Sequence, residues 1–144
     1  MNSGEAFDVL LVEDNAGDVR LVREALREVP EPIRLHVVND GLQALAFLQR
    51  RSPYEEHTAP HLILLDLNLP GLGGQQTLRA IKADEHLRSI PVIVMTSSAS
   101  PGDIRHAYQG YANCYVTKAQ DYEACVQLLH SLMHFWLHLA RIPQ

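Results

Sequence analysis

The sequence predicts an α/β fold, a doubly wound five-stranded parallel sheet with helices on both faces. Five short apolar runs alternate along the chain with longer segments of helical periodicity. The runs are apolar throughout, which is typical of strands that are buried on both faces of a parallel sheet. The same strand–helix order repeats five times, as in doubly wound folds. The runs are residues 9–12, 34–38, 62–65, 91–95 and 114–116.

Each run is followed by a helical segment, and the last of these helices begins near Gln120. Residues 51–60 are polar and contain two prolines, so we expect an exposed loop there. Proline and glycine mark the other boundaries, because both residues favour helix ends over helix interiors. These boundary residues are Pro30 and Pro32 after the first helix, Gly41 at the start of the second and Pro101 at the start of the fourth.

Length and composition limit the possible functions. A chain of 144 residues has the size of one domain, and 47% hydrophobic with 20% charged residues is typical of a globular protein. The net charge of −5 argues against a nucleic-acid-binding surface. Residues 1–7 lack the features of a leader peptide, no apolar run could span a membrane, and the two cysteines fit a reducing compartment. We therefore expect a cytoplasmic protein of one domain, residues 1–144, without an effector domain and without nucleic-acid or membrane partners.

Charged and hydroxyl side chains follow four of the five predicted strands. The first run ends at Glu13 and Asp14, the third at Asp66 and the fourth at Thr96, while the fifth leads to Lys118. Because the carboxyl ends of parallel strands meet at one edge of a sheet, we expect these side chains to form one pocket. Any one of them alone is more often a turn residue, a helix cap or a solvated charge.

The predicted pocket suits phosphoryl transfer. Three carboxylates that lie close together repel one another, and a divalent cation together with Lys118 would relieve that repulsion. Ligands that are all oxygen favour Mg²⁺ over zinc. The metal and the lysine would neutralise oxygens of the transferred group, and the central Asp66 is the plausible acceptor. The glycine-rich residues 71–74 match no phosphate-binding loop and are interpreted as the loop before the third helix.

At these positions the sequence closely resembles the receiver domains of two-component response regulators. Four motifs carry the resemblance, and they occur in the order of the family within residues 8–139. The resemblance implies a flavodoxin-like fold of the receiver type, whose output is a shift between two conformations rather than an enzymatic product. The motifs are LLVEDN at residues 10–15, LDLNLPG at 65–71, VMTS at 94–97 and YVTK at 115–118.

The resemblance also implies roles for individual residues. Asp66 would accept a phosphoryl group from a phosphohistidine of a sensor histidine kinase. Glu13, Asp14 and Asp66 would hold Mg²⁺ directly or through water, with Asn68 contributing its backbone carbonyl.

Three further residues would respond to the phosphoryl group. Thr96 would donate its hydroxyl to one phosphoryl oxygen, and Lys118 would pair with another. Tyr115 matches the aromatic switch position, whose side chain turns inward when Thr96 moves toward the phosphate.

The family usually has proline after the lysine, joined by a cis bond, whereas this chain has Ala119 at that position. We expect a trans bond between Lys118 and Ala119, because cis bonds before other residues cost about 2.5–4 kcal/mol.

Within the family, the chain resembles the stand-alone regulators of phytochrome sensor kinases. The features that carry this resemblance are NAGD at residues 15–18, NCYVTK at 113–118 and FWL at 135–137. A bacteriophytochrome kinase is therefore the expected partner.

The last helix is apolar over about twice the arc that a core-facing helix requires. We expect this arc to form a homodimer interface with Leu128 and Phe135 at its outer edge, because symmetric pairing buries such a patch. An alternative is that the preceding helix or the N-terminal residues cover part of it. The residues expected to face the sheet are Tyr122, Val126, Leu129, Met133 and Trp136, and those extending the arc are Leu128, Leu132, Phe135 and Leu139.

His130, His134 and His138 recur every four residues on this helix. No carboxylate or cysteine accompanies them, so a solvated or interfacial face is a better interpretation than a metal site.

Two other functions remain open. A receiver-fold binding module that works without phosphorylation would not need the complete set of pocket residues. A flavodoxin-like cofactor protein would need a phosphate-binding loop after the first strand, where Glu13 and Asp14 place negative charge instead.

Overall fold

The computed structural model describes residues 6–143, so the expectation of no leader peptide lies largely outside the described residues. Within these residues five strands and five α-helices alternate, and a π-helix, Phe135–Leu139, extends the last helix. The strands are β1 Phe7–Val12, β2 Ile33–Val38, β3 Leu62–Leu65, β4 Val92–Thr96 and β5 Cys114–Thr117. The helices are α1 Ala16–Leu26, α2 Gly41–Leu48, α3 Gly74–Ala83, α4 Pro101–Gln109 and α5 Tyr122–His134.

All strand pairs are parallel, and their order in the sheet is β2-β1-β3-β4-β5. The predicted fold class is therefore confirmed. The three inner strands are buried along their whole length, whereas the edge strands β2 and β5 are largely half-buried. The order reverses between β1 and β3, and such a switch point is where open α/β sheets bind ligands.

Helices cover both faces of the sheet and divide the core in two. One core cluster lies beneath α1 and α5, and the other lies beneath α2, α3 and α4. Four helices begin with a side chain that accepts a hydrogen bond from a backbone N–H of the first turn, which satisfies a donor that the helix itself leaves free. These capping residues are Asn15, Asp40, Ser100 and Asp121.

One expectation about surfaces is only partly correct. Residues 51–60 form a loop, but Tyr54 and His57 are half-buried because their rings pack against Phe47 of α2.

No helix among residues 6–143 is long and apolar enough to cross a membrane.

The last helix differs from its expected arrangement at two positions. Tyr122 was expected to face the sheet, but it is exposed and its hydroxyl donates to the carboxylate of Glu28, just beyond the end of α1. Leu132 was expected to extend the exposed arc, but it is buried in the core. The reason is that α1 packs along α5 and covers a second side of it. Part of the apolar arc is therefore covered by a neighbouring helix.

The outer edge of the arc remains uneven. Phe135 is 47% exposed and Leu139 is 65% exposed, whereas Leu128 is half-buried against the core. His134 and His138 are exposed, and His138 pairs with Glu31 at 2.9 Å. The histidine row forms no metal-type cluster in the described part of the chain.

Candidate functional site

The carboxyl ends of four strands bring the predicted pocket residues together. Glu13 and Asp14 follow β1, Asp66 follows β3, and Thr96 ends β4. The sheet hydrogen bonds continue past the strand ends, since the Asp66 N–H donates to the Val12 carbonyl at 3.1 Å and the Lys118 N–H to the Thr96 carbonyl at 2.8 Å. This continuation fixes the backbone from which each functional side chain projects.

Most of the pocket is shielded from water. Glu13, Asp66 and Thr96 are between 2% and 4% exposed, whereas Asp14 is exposed. Burying a charged carboxylate is unfavourable unless a cation or hydrogen-bond donors accompany it. The pocket therefore needs positive charge, and Lys118 supplies part of it.

The ammonium of Lys118 contacts three carboxylates. Its Nζ lies 2.7 Å from Glu13 Oε1, 2.7 Å from Asp18 Oδ2 and 3.0 Å from Asp66 Oδ2. The bond between Lys118 and Ala119 is trans, as expected, and Lys118 still reaches the pocket. The missing proline therefore does not displace the lysine.

Asp18 was not recognised from the sequence as a pocket residue. It is the third residue of α1, and its backbone N–H donates to the capping Asn15 Oδ1 at 2.9 Å. The signal that could have found it is its place in the first turn of the helix that starts directly after the acidic pair. That turn lies at the same edge of the sheet as the pocket.

The charges in the pocket shift one another's protonation. Burial raises the pKa of Glu13 above its ordinary value, and the hydrogen bond from Lys118 offsets only part of that rise. Burial lowers the pKa of Lys118, but the bonds that its ammonium donates to Asp18, Glu13 and Asp66 outweigh this effect, so the pKa lies above its ordinary value. The lysine is therefore firmly cationic, and the buried Glu13 takes up a proton more readily than an exposed glutamate does.

Three of the carboxylates fit a divalent metal ion. Ligand oxygens of Glu13, Asp14 and Asp66 all lie within 4.8 Å of one another, and they form the only such group in the described residues. A donor set made only of oxygen suits hard cations such as Mg²⁺ or Mn²⁺. Asn68, the fourth predicted ligand, follows closely in the β3–α3 loop, where its N–H donates to Asp66 Oδ1 at 3.2 Å.

A glycine allows α3 to start beside the pocket. A Cβ at Gly74 would lie 2.4 Å from the Asp66 carbonyl oxygen and 2.3 Å from Leu67 Cα, so no other residue fits without moving the backbone. Gly71, in the same loop, has φ +64°, which favours glycine. This segment was correctly interpreted as a loop before the third helix, but the steric need for glycine next to Asp66 was not predicted.

Tyr115 is joined to the loop that follows Thr96. Its hydroxyl donates to the Ser98 carbonyl at 2.8 Å, and Ser98 in turn donates to Asp103 of α4 at 2.6 Å. The two predicted switch residues are thus linked through Ser98, which lies two residues beyond Thr96.

Together these groups form a buried aspartate flanked by a lysine, a threonine at a neighbouring strand end and a carboxylate set for a divalent cation. Such a site can stabilise negative charge that accumulates on a phosphoryl group during its transfer.

Comparisons with known proteins agree with this chemistry. The chain matches the profile of the family described as response regulator receiver domain over residues 9–130. The response regulator Rcp1 of Synechocystis sp. is 40% identical over 135 residues, which are 94% of this chain and 92% of Rcp1.

Solved structures of similar proteins have the same fold. The phosphorylated cyanobacterial phytochrome response regulator RcpA is 39% identical with a TM-score of 0.92, and the match covers 97% of this chain and 100% of RcpA. The Mn²⁺-bound form of Rcp1 is 39% identical with a TM-score of 0.88, covering 95% of this chain and 99% of that one. The chain therefore belongs to the response regulator receiver domain family.

Proposed function

We propose that Asp66 accepts a phosphoryl group from a phosphohistidine of a sensor histidine kinase. The single observation that carries the proposal is the place of Asp66, which is 4% exposed, bonded to Lys118 and within 4.8 Å of two further carboxylates. In the transfer, the bond from phosphorus to the histidine nitrogen breaks, and a bond from phosphorus to a carboxylate oxygen of Asp66 forms. The electron pair of the broken bond stays with the imidazole.

The test is phosphate uptake from a small phosphodonor in the presence of Mg²⁺, followed by intact mass. Asp66→Asn should abolish the base-labile phosphate and leave the fold intact. Asp84→Asn is the control, because it also replaces one aspartate by asparagine, at a half-buried residue that caps the end of α3 outside the pocket. Uptake that continues at an undiminished rate in Asp66→Asn would favour the alternative, a binding module that works without phosphorylation.

We propose that Glu13, Asp14 and Asp66 hold Mg²⁺, with the backbone carbonyl of Asn68 as a further ligand. The ion would supply positive charge to the transferring oxygens. Of the three carboxylates, Asp14 is the exposed one and makes no contact with Lys118, so its charge is the most available to a cation. Both oxygens of Glu13 already have partners. Its Oε1 forms an ion pair with Lys118, and its Oε2 accepts a hydrogen bond from the Asn15 N–H at 3.1 Å.

We propose that Thr96 and Tyr115 transmit phosphorylation to the surface. The hydroxyl of Thr96 would donate to a phosphoryl oxygen, which would move the loop that holds the Tyr115 hydroxyl. The bond from Tyr115 to Ser98 supports this link, because Ser98 lies two residues beyond Thr96. Response regulators are generally signalling proteins rather than enzymes, and we propose that the output here is likewise a change of conformation.

We propose that the partner kinase is a phytochrome. The support is similarity to proteins named as phytochrome regulators, RcpA among them, and to RPA3017, which acts in red light signalling of R. palustris and is 31% identical. A purified, autophosphorylated bacteriophytochrome should transfer phosphate to this chain faster than a histidine kinase of another sensory class. Equal rates would count against the assignment.

We propose that two copies of the chain pair through α5, with α4 and β5 as neighbours. The exposed rings and side chains at the end of α5 support this, above all Phe135 and Leu139, while the half-buried Leu128 would contribute less than expected. A single receiver domain without an effector domain, a cytoplasmic location and the absence of nucleic-acid partners stay predictions.

A further inference from the structure

The ammonium of Lys118 has no hydrogen left for a phosphoryl oxygen. A protonated lysine has three N–H donors. The three carboxylates of Glu13, Asp18 and Asp66 lie at 2.7, 2.7 and 3.0 Å from Nζ, so each donor has a partner. For Lys118 to pair with a phosphoryl group on Asp66, one of the present contacts must be given up.

The three partners differ in how readily they can release the lysine. The side chain of Glu13 is 3% exposed and that of Asp66 is 4% exposed, whereas that of Asp18 is 37% exposed. A buried carboxylate that loses its cation is left with little water to solvate it, which is strongly unfavourable. Asp18 can exchange Lys118 for water, so it is the partner that yields.

The first turn of α1 directs Asp18 toward the lysine. In a capping box, the third helical residue turns its side chain back to the backbone N–H of the capping residue. Here the N–H of the capping Asn15 donates to Glu13 Oε2 at 3.1 Å, so the carboxylate of Asp18 is not needed there and bonds Lys118 instead. Glu13, Asn15, Asp18 and Lys118 thereby form a closed ring of hydrogen bonds and an ion pair.

We propose, on the basis of the phosphorylation of Asp66 proposed above, that Asp18 is a positioning residue that competes with the phosphoryl group for Lys118. In the unphosphorylated protein Asp18 holds the ammonium and adds negative charge near the incoming group. On phosphorylation the lysine turns to the phosphoryl oxygen, and the contact that ties the first turn of α1 to the end of β5 is lost. Asp18 therefore slows phosphorylation, and its release couples the pocket to α1.

The experiment measures the rate constant of phosphorylation by acetyl phosphate at saturating Mg²⁺, followed by intact mass. In this reaction the bond from phosphorus to the acetate oxygen breaks, the bond to Asp66 forms, and acetate leaves with the electron pair. Asp18→Asn should raise the rate constant by about three- to tenfold, the range expected for losing one partly exposed charge pair and its repulsion.

Glu24→Gln is the matched control, because it removes the same charge from the same helix. Glu24 is exposed and lies six residues further along α1, about 9 Å along the helix axis. At physiological salt its charge is largely screened from the pocket. The rate constant of phosphorylation in Glu24→Gln should therefore stay within about twofold of the wild-type value.

A double mutant tests whether Asp18 acts through the lysine. In a Lys118→Gln background, where phosphorylation is followed over hours, Asp18→Asn should accelerate the reaction less than it does in the wild-type background, because only the repulsion between Asp18 and the incoming group remains. An unchanged or lower rate constant in Asp18→Asn alone overturns the proposal, and so does an undiminished acceleration in the Lys118→Gln background. Thermal unfolding of each variant shows that it is folded. Phosphate that still enters Asp66→Asn contradicts the proposed acceptor instead, which keeps the two failures distinct.

Discussion

Replacing Lys118 with Met should destabilise the protein more than replacing Lys82 with Met. The two lysines are matched in burial and in number of partners. Lys82 Nζ contacts three neutral oxygens, the carbonyls of Arg88 at 2.9 Å and Ile90 at 3.0 Å and the side-chain oxygen of Asn113 at 2.9 Å. Lys118 contacts three carboxylates instead. A difference in the loss of unfolding free energy between the two substitutions therefore measures the effect of charged as against neutral partners.

The magnitude follows from the buried charges that each substitution leaves. Removing one partner of a buried ion pair costs about 3–5 kcal/mol. Because the Lys118 side chain is 18% exposed and water can enter the vacated space, we expect a loss of about 2–4 kcal/mol. Burial lowers the pKa of Lys82, so its removal relieves an unfavourable charge while breaking hydrogen bonds. The net loss for Lys82→Met should be about 1–2 kcal/mol.

The loss in Lys118→Met should depend on pH. Burial already raises the pKa of Glu13, and without the lysine that pKa should rise further. A carboxyl whose pKa is raised on folding binds its proton more tightly in the folded state, so stability falls as pH rises from the unfolded value of 4.5 to the folded value. The loss is therefore largest above the folded pKa of Glu13 and shrinks as pH falls toward 4.5. The contribution of Lys118 itself is complete below 10.5 and is lost only at higher pH.

The assay is urea unfolding followed by the fluorescence of the single tryptophan, Trp136. Curves at about pH 5 and about pH 7.5, each with excess Mg²⁺ or with a chelator, give the free energy of unfolding. Relative to wild type, Mg²⁺ should reduce the loss of stability in Lys118→Met, because it binds the carboxylates that have lost their cation, and should leave the loss in Lys82→Met unchanged. Equal losses for the two variants, insensitive to pH and to Mg²⁺, would refute the reasoning.

Three further changes test other parts of the structure. Asp14→Ala should weaken Mg²⁺ binding more than about tenfold, roughly 1.4 kcal/mol, in a calorimetric titration, and equal affinity would contradict the proposed ligand. Phe135→Glu combined with Leu139→Glu should abolish dimers in sedimentation at micromolar concentration, whereas a wild type that is monomeric with and without phosphorylation would rule the dimer out. Asp8→Asn should lower the free energy of unfolding by about 1–3 kcal/mol, because buried Asp8 accepts two hydrogen bonds from Arg34. Burial raises the pKa of Asp8, but Arg34 and His36 outweigh it and lower that pKa, so the stability is present above the ordinary value of 3.8 and is lost as pH falls through the folded value. If Asp8→Asn lowered the free energy of unfolding equally above 3.8 and below the folded pKa of Asp8, this prediction would be contradicted.

The order of strands and helices could be predicted from the sequence because local chemistry determines it. Apolar runs that must be buried on both faces form strands, and capping side chains such as Asp40 favour the start of a helix. The gathering of Glu13, Asp66 and Lys118 could also be predicted, since each directly follows a strand and parallel strands end at one edge.

Only the tertiary structure decided which side chains meet across the fold. Asp18 and Lys118 are 100 residues apart, and their contact depends on where α1 sits relative to the end of β5. In the same way, helical periodicity gives the direction in which Leu132 and Tyr122 point but not what they meet. Leu132 is buried in the core cluster beneath α1 and α5, whereas Tyr122 is exposed and its hydroxyl donates to Glu28. A local pattern determines the conformation of a segment, whereas contacts between distant segments depend on how all of them pack at once.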